Sequence, residues 1–307
     1  MSAFDSIKHT LWSDKLNNIE AIQPFEEIII NTSVGEIIPI YSVEDQGRQK
    51  LTPIRYYKEG SIRSISLQAA TIIKTPIGDI SAELITFYKD GSLCRIFPLN
   101  GKLSGYWTEE NEYKLTEILS IPTPVGEIRV KPIYIHFHEK GELKSITFWP
   151  DEKLTISTPL GIISVRKGIS FHKCGSLASC EPARPTKLKT LIGNIEAFDP
   201  NLNGMNGEKN SLAFSENGTL TEISTSASSI KVLGSNGSIT AFQPSVVTSI
   251  CNDDEFSLEA LRIKFREEDV VFRNGLKSEV KVPFPGNFIV EDFVSPVPLA
   301  GISLCTL

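Results

Sequence analysis

Hydrophobic and polar residues alternate in short runs along most of this chain, in the period-two pattern of β-strands. Ile85-Thr-Phe-Tyr and Ile133-Tyr-Ile-His-Phe-His are two such runs, rich in β-branched and aromatic residues. A helical period is kept well only over residues 256–269, and these residues fit a strand nearly as well. The pattern therefore predicts an all-β fold.

Two turn signatures alternate between the runs. The first reads Thr-x-x-Gly-x-Ile and occurs at 32–37, 75–80, 123–128, 158–163 and 190–195. The second is an aromatic residue, three residues, a glycine, a small or polar residue, and Leu or Ile. Its copies are centred on the structural glycines Gly60, Gly91, Gly141, Gly175 and Gly218. Glycine is expected there because a tight turn needs positive φ.

The spacing of these turns reveals a repeated unit of roughly 33 residues, lengthened in places by insertions at 44–49, 100–113 and 201–210. Alignment on the second glycine gives apolar columns two and five residues after it, and an aromatic column four residues before it. Positions three apart lie on opposite faces of a flat strand, so we expect a bulge between the two apolar columns. Self-similarity of this kind indicates an array of stacked units that share one core.

The segments between turns are longer than a typical strand, which favours short strands joined by corners. We therefore predict a β-solenoid-like stack of these units, with a long antiparallel β-meander of hairpin repeats as the alternative. The array is expected to cover residues 1–245, with a degenerate capping unit at its N-terminal end. Residues 246–307 are expected to form a capping segment packed on the array.

The run Phe-Tyr-x-Asp-Gly-Ser-Leu-x-x-Ile, from Phe87 to Ile96, resembles the hairpin units of MORN-like bacterial repeat proteins. Combined with the Thr-Pro-x-Gly-x-Ile turns, it is more similar to uncharacterised bacterial β-repeat proteins. The resemblance runs from Leu11 to about Phe242, and the unit is longer and poorer in glycine than a MORN repeat. It implies a repeat scaffold that binds proteins or lipids, and it brings no catalytic residues.

Composition narrows the function classes. The net charge is -6 and no basic run occurs, which disfavours nucleic acid as a partner. No apolar tract is long enough to predict a membrane span, and no secretory signal is recognised. Five irregularly spaced cysteines fit free thiols, so a cytoplasmic location is expected.

Two groups of side chains are candidates for a functional site. Tyr106, Trp107 and Trp149 lie outside the repeated columns and form a candidate binding surface, unless they are buried against the array. His138 and His172 occupy the same column and would lie close together in stacked units, which suggests a metal site. That column also holds tyrosine and serine, so its members are alternatively polar residues beside a turn.

These observations predict a non-catalytic cytosolic binding or scaffold protein, with a protein or peptide partner and no cofactor. A homodimer paired through an edge strand is a further prediction. The alternative function is a carbohydrate-active β-solenoid enzyme with a carboxylate site. Cys180 replaces isoleucine in an apolar column and is therefore predicted to lie in the core rather than to act as a nucleophile.

Overall fold

A computed structural model describes residues 9–13, 18–42, 52–100, 108–200, 206–248, 256–275 and 278–296. Within these ranges the chain forms 27 strands and one short helix, which confirms the all-β class. The chain divides into two compact units, Met1–Trp149 (unit 1) and Pro150–Leu307 (unit 2). The boundary predicted at residue 245 separates the repeat array from the capping segment and is not a boundary between these two units. It stays a prediction.

Unit 1 contains twelve described strands and the helix α1, Glu109–Leu115. The strands are β1 His9–Ser13, β2 Ile19–Pro24, β3 Ile30–Thr32, β4 Gly35–Ile37, β5 Ile54–Tyr56, β6 Ile62–Thr75, β7 Gly78–Phe87, β8 Leu93–Phe97, β9 Leu119–Thr123, β10 Gly126–Val130, β11 Pro132–Phe137 and β12 Leu143–Phe148. Its main sheet has the order β1-β2-β5-β6-β7-β8-β11-β12, and β3/β4 and β9/β10 are separate hairpins.

Unit 2 repeats this plan with fifteen described strands. They are β13 Lys153–Thr158, β14 Gly161–Phe171, β15 Leu177–Pro182, β16 Thr186–Thr190, β17 Gly193–Ala197, β18 Leu212–Phe214, β19 Leu220–Thr225, β20 Ser228–Leu233, β21 Ile239–Phe242, β22 Ser245–Thr248, β23 Phe256–Glu259, β24 Leu261–Phe265, β25 Asp269–Asn274, β26 Val280–Pro283 and β27 Asn287–Asp292. The main sheet runs β14-β15-β18-β19-β24-β25-β26, with β13 paired to β14. The remaining strands form the hairpins β16/β17 and β22/β23 and the small sheet β21-β20-β27.

Each glycine of the second signature closes a hairpin of the main sheet, which we call an aromatic hairpin (β5/β6, β7/β8, β11/β12, β14/β15 and β18/β19). In the β7/β8 hairpin, the Gly91 N–H donates to the Tyr88 carbonyl at 3.0 Å and the Tyr88 N–H donates to the Ser92 carbonyl at 2.8 Å. Gly91 has φ +84°, in the region that favours glycine. The repeated glycine is therefore required by the turn itself.

The expected bulge is present in all five aromatic hairpins. In β7/β8, Phe87 pairs with Leu93 and Thr86 pairs with Arg95, so Cys94 has no partner across the ladder. The same register shift leaves out one residue in each of the other four hairpins, namely Arg63, Lys144, Ala178 and Thr221. The bulge explains how positions two and five after the glycine both contribute to one core.

The first signature closes a second set of hairpins, which we call threonine hairpins (β3/β4, β6/β7, β9/β10, β13/β14 and β16/β17). At Thr75 the hydroxyl donates to the Gly78 carbonyl at 2.7 Å and accepts the Ile77 N–H at 3.2 Å. Because a threonine side chain that bonds its own turn favours that turn over other conformations, the threonine is part of the signature.

The core lies against one face of the main sheet. A row of fully buried isoleucines crosses the strands of unit 1, consisting of Ile54, Ile65, Ile85, Ile96, Ile135 and Ile146. The threonine hairpins are also buried on one face only, since Ile73 and Ile80 are buried whereas Ile72 is 62% exposed. In the β3/β4 hairpin, Ile30 packs against the cluster that contains Ile54 of the main sheet.

Tip contacts show that the threonine hairpins fold back across the sheet. The Ser33 hydroxyl at the tip of β3/β4 donates to the Gly91 carbonyl at 2.7 Å. A Cβ atom placed on Gly141 would lie 3.2 Å from Pro76 Cγ, at the tip of β6/β7. The isoleucines of the two hairpin sets therefore meet between two layers, which is a common way to bury the apolar face of a sheet.

The structure bears on two of the sequence predictions. Residues 256–269 are strands rather than a helix, because β24 pairs with β19 and alternates buried Leu261, Ile263 and Phe265 with polar residues. The solenoid is not confirmed, since the strand pairs among the described residues are all antiparallel and follow the order of the meander alternative. In the described part of the chain, no helix has the length and apolar character needed to cross a membrane.

Candidate functional site

The face of the unit 1 sheet opposite the isoleucine row carries polar side chains. The cross-strand register aligns Arg55, Ser64, Thr86 and Arg95 on four neighbouring strands, β5 to β8. With strands about 4.8 Å apart, the Cα atoms of the two arginines are about 14 Å apart. Because short hydroxyl side chains lie between two long arginines, this row forms a depression in the sheet surface.

The bulges add two further side chains to the depression. Arg63 is the extra residue of the β5/β6 hairpin, and Cys94 is the extra residue of the β7/β8 hairpin. Both line the same cavity as Arg55 and Arg95. A bulge redirects a side chain that would otherwise follow strict alternation, so the feature that shapes the core also furnishes this site.

The cavity has a volume of about 340 Å³, within the range of small-ligand sites. Three arginines line it, and among the described lining residues there is neither aspartate nor glutamate. The nearby Glu83 carboxylate accepts the backbone N–H of Asn100 at 3.0 Å. The Asn100 amide and five hydroxyl side chains add to the polar lining, the hydroxyls being those of Thr52, Tyr57, Ser64, Ser66 and Thr86. The cavity is therefore positively charged.

Several polar atoms of the cavity lining are buried without a hydrogen-bond partner among the described residues. They are the Thr86 hydroxyl, the Arg95 Nε–H and the Asn100 side-chain amide nitrogen. Asn100 itself is only 6% exposed. An unpaired buried donor costs about 1–3 kcal/mol, so a ligand that accepts hydrogen bonds would relieve that cost.

Arg95 is held in place by aromatic side chains. Its guanidinium carbon lies 5.2 Å from the centroid of the Tyr134 ring, and the Phe97 and Tyr134 ring centroids are 5.4 Å apart. A guanidinium over an aromatic face is stabilised by the ring quadrupole. The arrangement orients the Arg95 side chain, and no carboxylate of the described residues forms an ion pair with it.

A thiol, an imidazole and a phenol meet at one side of the cavity. His136 Nε2 lies 3.5 Å from Cys94 Sγ and 3.1 Å from the Tyr88 hydroxyl oxygen, and His136 is only 3% exposed. The Tyr88 hydroxyl donates to the Phe137 carbonyl at 2.7 Å. Burial, followed by the nearby Cys94, raises the pKa of Tyr88 well above its ordinary value, so the phenol keeps its proton.

Of the aromatic residues predicted to bind a partner, the structure describes only Trp149, which does not line this cavity. Tyr106 and Trp107 lie outside the described residues. Trp149 is 3% exposed and packs edge to face with Tyr113, with ring centroids 6.3 Å apart. As a correction to the candidate surface, Trp149 is a packing residue, because α1 places Tyr113 against it.

The histidine column has a structural explanation. In unit 2, His172 Nε2 donates to the Phe214 carbonyl at 2.8 Å. In unit 1, Tyr57 at the corresponding position donates to the Phe87 carbonyl at 2.9 Å. Tyr57, Tyr88 and His172 thus each link two neighbouring aromatic hairpins through a side chain and a carbonyl, and His138 belongs to the same column. Among the described residues, no group of three or more potential metal-ligating side chains occurs.

A second buried polar cluster lies in unit 2 around Glu181. Its carboxylate accepts hydrogen bonds from the Ser211 N–H at 2.6 Å, the Ser211 hydroxyl at 2.9 Å and the Asp199 N–H at 3.3 Å. Arg166 Nη2 is 4.0 Å from Glu181, and Lys167 donates to the Lys209 carbonyl at 3.3 Å. These bonds attach the chain around Asp199 and Ser211 to the sheet, which indicates a structural role.

Cys180, next to this cluster, is fully buried, and burial raises its pKa to about 12. The prediction that it is a core residue is confirmed. The nucleophile candidate in the structure is instead Cys94, which the sequence analysis did not single out. The sequence feature that could have pointed to Cys94 is its position at the bulge, one residue after an apolar column.

Comparison with known proteins adds no family. No family model matches this chain, and neither a curated protein nor a solved structure matches it. The MORN-like resemblance therefore stays a prediction, and the function must be argued from the geometry of the site.

Proposed function

We propose that this chain is a non-catalytic binding protein that holds an acidic peptide segment in the arginine-lined cavity of unit 1. The observation that carries the proposal is the lining of this cavity, where Arg55, Arg63 and Arg95 occur without a described carboxylate. The unpartnered groups at Thr86, Arg95 and Asn100 are able to donate hydrogen bonds. A carboxylate only accepts hydrogen bonds, so it complements both the charge and the donors.

The spacing of the arginines favours a peptide over a single small anion. The Cα atoms of Arg55 and Arg95 are about 14 Å apart in the register of the sheet, so two carboxylates on one extended ligand can each meet an arginine of their own. An extended peptide rises about 3.4 Å per residue, so side chains four residues apart on the same face match this span. The preferred ligand is an extended segment with acidic residues at positions i and i+4.

The carbohydrate-active alternative receives less support. Its chemistry needs two carboxylates placed across a substrate groove. A second cavity, of about 420 Å³, includes Asp90 and Glu139. However, Asp90 accepts hydrogen bonds from the Ser92 hydroxyl at 2.7 Å and the Ser92 N–H at 2.9 Å, which lower its pKa. This carboxylate closes its own turn instead of facing a substrate.

A reducing compartment such as the cytoplasm is part of the proposal. Three of the five cysteines, Cys94, Cys174 and Cys180, lie in the described part of the chain, and all three are free thiols. A peptide ligand agrees with the predicted scaffold role, because a scaffold can bind segments of other proteins. The homodimer would use β1, which lies at one edge of the unit 1 sheet.

Fluorescence anisotropy with a labelled extended peptide tests the binding. The probe carries glutamates at positions i and i+4, and a matched peptide carries glutamines there. Arg55→Ala and Arg63→Ala should each weaken binding of the acidic peptide about tenfold, which corresponds to about 1.4 kcal/mol. Binding should also weaken as salt concentration rises.

Arg129→Ala is the matched control, because Arg129 is an exposed arginine of β10 in the same unit and does not line the cavity. It should leave the affinity unchanged. Equal affinity for the glutamate and glutamine peptides would contradict the proposal, as would an equal loss in the Arg129→Ala variant.

A further inference from the structure

Beyond peptide binding, we propose that Cys94 is a nucleophilic thiol that forms a mixed disulfide with an anionic, glutathione-type disulfide held in the same cavity. Cys94 lines the cavity beside Arg95, and its sulfur lies 3.5 Å from His136 Nε2. A thiol paired with an imidazole is the recurring arrangement of activated cysteines. The Tyr88 hydroxyl oxygen lies 3.1 Å from the same nitrogen, so it competes with the sulfur for that nitrogen.

The hydrogen bonds around Tyr88 indicate that His136 Nε2 carries a hydrogen. A tyrosine hydroxyl has one hydrogen, and the Tyr88 hydrogen is directed to the Phe137 carbonyl at 2.7 Å. His136 Nε2 must therefore donate the hydrogen of its 3.1 Å contact with the Tyr88 oxygen. The same N–H faces Cys94 Sγ, so the sulfur is the acceptor. The contact therefore holds the sulfur beside a hydrogen-bond donor at the wall of the cavity.

The reaction balances without any oxidant other than the disulfide. The Cys94 sulfur attacks one sulfur of the bound disulfide, forming a new S–S bond while the original S–S bond breaks. Cys94 is oxidised to a mixed disulfide, and the other half of the ligand is reduced and leaves as a thiolate. The Cys94 proton passes to water when the thiolate forms, because His136 Nε2 already carries a hydrogen, and the leaving thiolate takes up a proton from water.

The charge of the cavity selects the disulfide. Carboxylates on the ligand would pair with Arg55 and Arg63, which are exposed arginines of β5 and β6 that line the same cavity as the thiol. The other described thiols lack this environment. Cys174 is exposed on a turn beside the Ser176 hydroxyl, and Cys180 is fully buried. Cys94 should therefore be the described cysteine that prefers an anionic reagent.

The test compares two disulfides of opposite charge on the full-length chain. Oxidised glutathione is the anionic probe and cystamine the cationic one, and peptide mapping by mass spectrometry follows each mixed disulfide with time. Cys94 should react with oxidised glutathione at least tenfold faster than Cys174 does in the same sample. Arg55→Ala combined with Arg63→Ala should reduce that rate about tenfold and should leave the cystamine rate of Cys94 unchanged or higher.

Two further variants separate activation from charge selection. His136→Asn should slow Cys94 towards both disulfides, whereas Arg129→Ala should slow it towards neither. Because His136 is buried, Tyr88→Phe provides a second measurement that disturbs packing less. It frees the His136 N–H for sulfur alone, so the Cys94 rate should be kept or raised.

The thiol reaction and the peptide binding use the same cavity, but each proposal can be refuted without refuting the other. Cys94→Ser should abolish the mixed disulfide at this site and retain binding of the acidic peptide. If Cys94 reacts no faster than Cys174, or if the arginine substitutions leave its preference for oxidised glutathione intact, the thiol proposal is overturned whether or not the peptide binds.

Discussion

Replacing Glu181 with glutamine should remove a pH-dependent loss of stability from unit 2. Burial raises the pKa of Glu181 from an ordinary 4.5 to about 7, although Ser211, Arg166 and Asp199 pull it in the opposite direction. The folded chain therefore binds this proton more tightly than the unfolded chain does. The corresponding stability is fully present below about pH 4.5 and is lost as the pH rises to about 7.

The size of the effect follows from the two pKa values. The rise from 4.5 to about 7 is about 2.5 pH units, and each unit corresponds to 1.36 kcal/mol. The free energy of unfolding of unit 2 should thus fall by about 3 kcal/mol across this window. Arg166 and Lys167 also face this group, and burial lowers the pKa of each from ordinary values of 12.5 and 10.5. These two ordinary pKa values lie above the window from pH 4.5 to about 7.

The buried thiol of Cys180 is a local reporter for this experiment, because all three tryptophans precede unit 2 in the chain. Urea unfolding at several pH values would be followed by a brief pulse of an alkylating agent and by mass spectrometry of the Cys180 peptide. Wild-type chain should unfold at progressively lower urea concentration as the pH rises, and Glu181→Gln should show no such slope. Glu222→Gln, which removes a partly exposed carboxylate of the same sheet, should keep the slope.

A pH-independent midpoint in the wild-type chain would refute the reasoning. A slope that persists in Glu181→Gln would refute it equally, since the proton would then be bound elsewhere.

Two further predictions concern the hairpin turns of unit 1, and urea unfolding followed by tryptophan fluorescence checks both. Gly60→Ala and Gly141→Ala should each cost about 1–2 kcal/mol for positive φ, but Gly141→Ala should cost about 1 kcal/mol more, because its Cβ would lie 3.2 Å from Pro76. Equal losses, or an excess that Pro76→Ala does not relieve, would contradict the tip contact. Tyr88→Phe should cost about 1 kcal/mol through the lost bond to the Phe137 carbonyl, and an unchanged midpoint would contradict a role for that bond.

Much of the fold could be predicted because every copy of a turn reports the same local requirement. The glycine of each aromatic hairpin marks positive φ, and the apolar columns two and five residues later imply the bulge that the register contains. The helix α1 was not predicted, since its seven residues are too few to show a helical period. Its signals were local, namely the Thr108 N-cap and the acidic first turn that follows it.

The candidate site was harder to predict because it lies between the columns that the alignment emphasised. Ser64 and Arg95 stand four residues after their turn glycines, on the face opposite the buried isoleucines. This position holds serine in three of the five copies, arginine in one and glutamate in one, so the arginine is not a feature of the repeat. The meeting of Cys94 with His136, 42 residues further along, depends on the pairing of β8 with β11, which local sequence does not encode.

The bulge position of the aromatic hairpins accepts side chains of very different chemistry. It is left out of the ladder in every aromatic hairpin, and its five occupants are Arg63, Cys94, Lys144, Ala178 and Thr221. These residues span cationic, nucleophilic, apolar and hydroxyl chemistry at one geometrically equivalent position. A scaffold of this kind can change its ligand by substitutions at the bulges while the buried isoleucines stay the same. New specificities could therefore be grafted onto one hairpin at a time, which makes the molecule a natural starting point for modular receptor engineering.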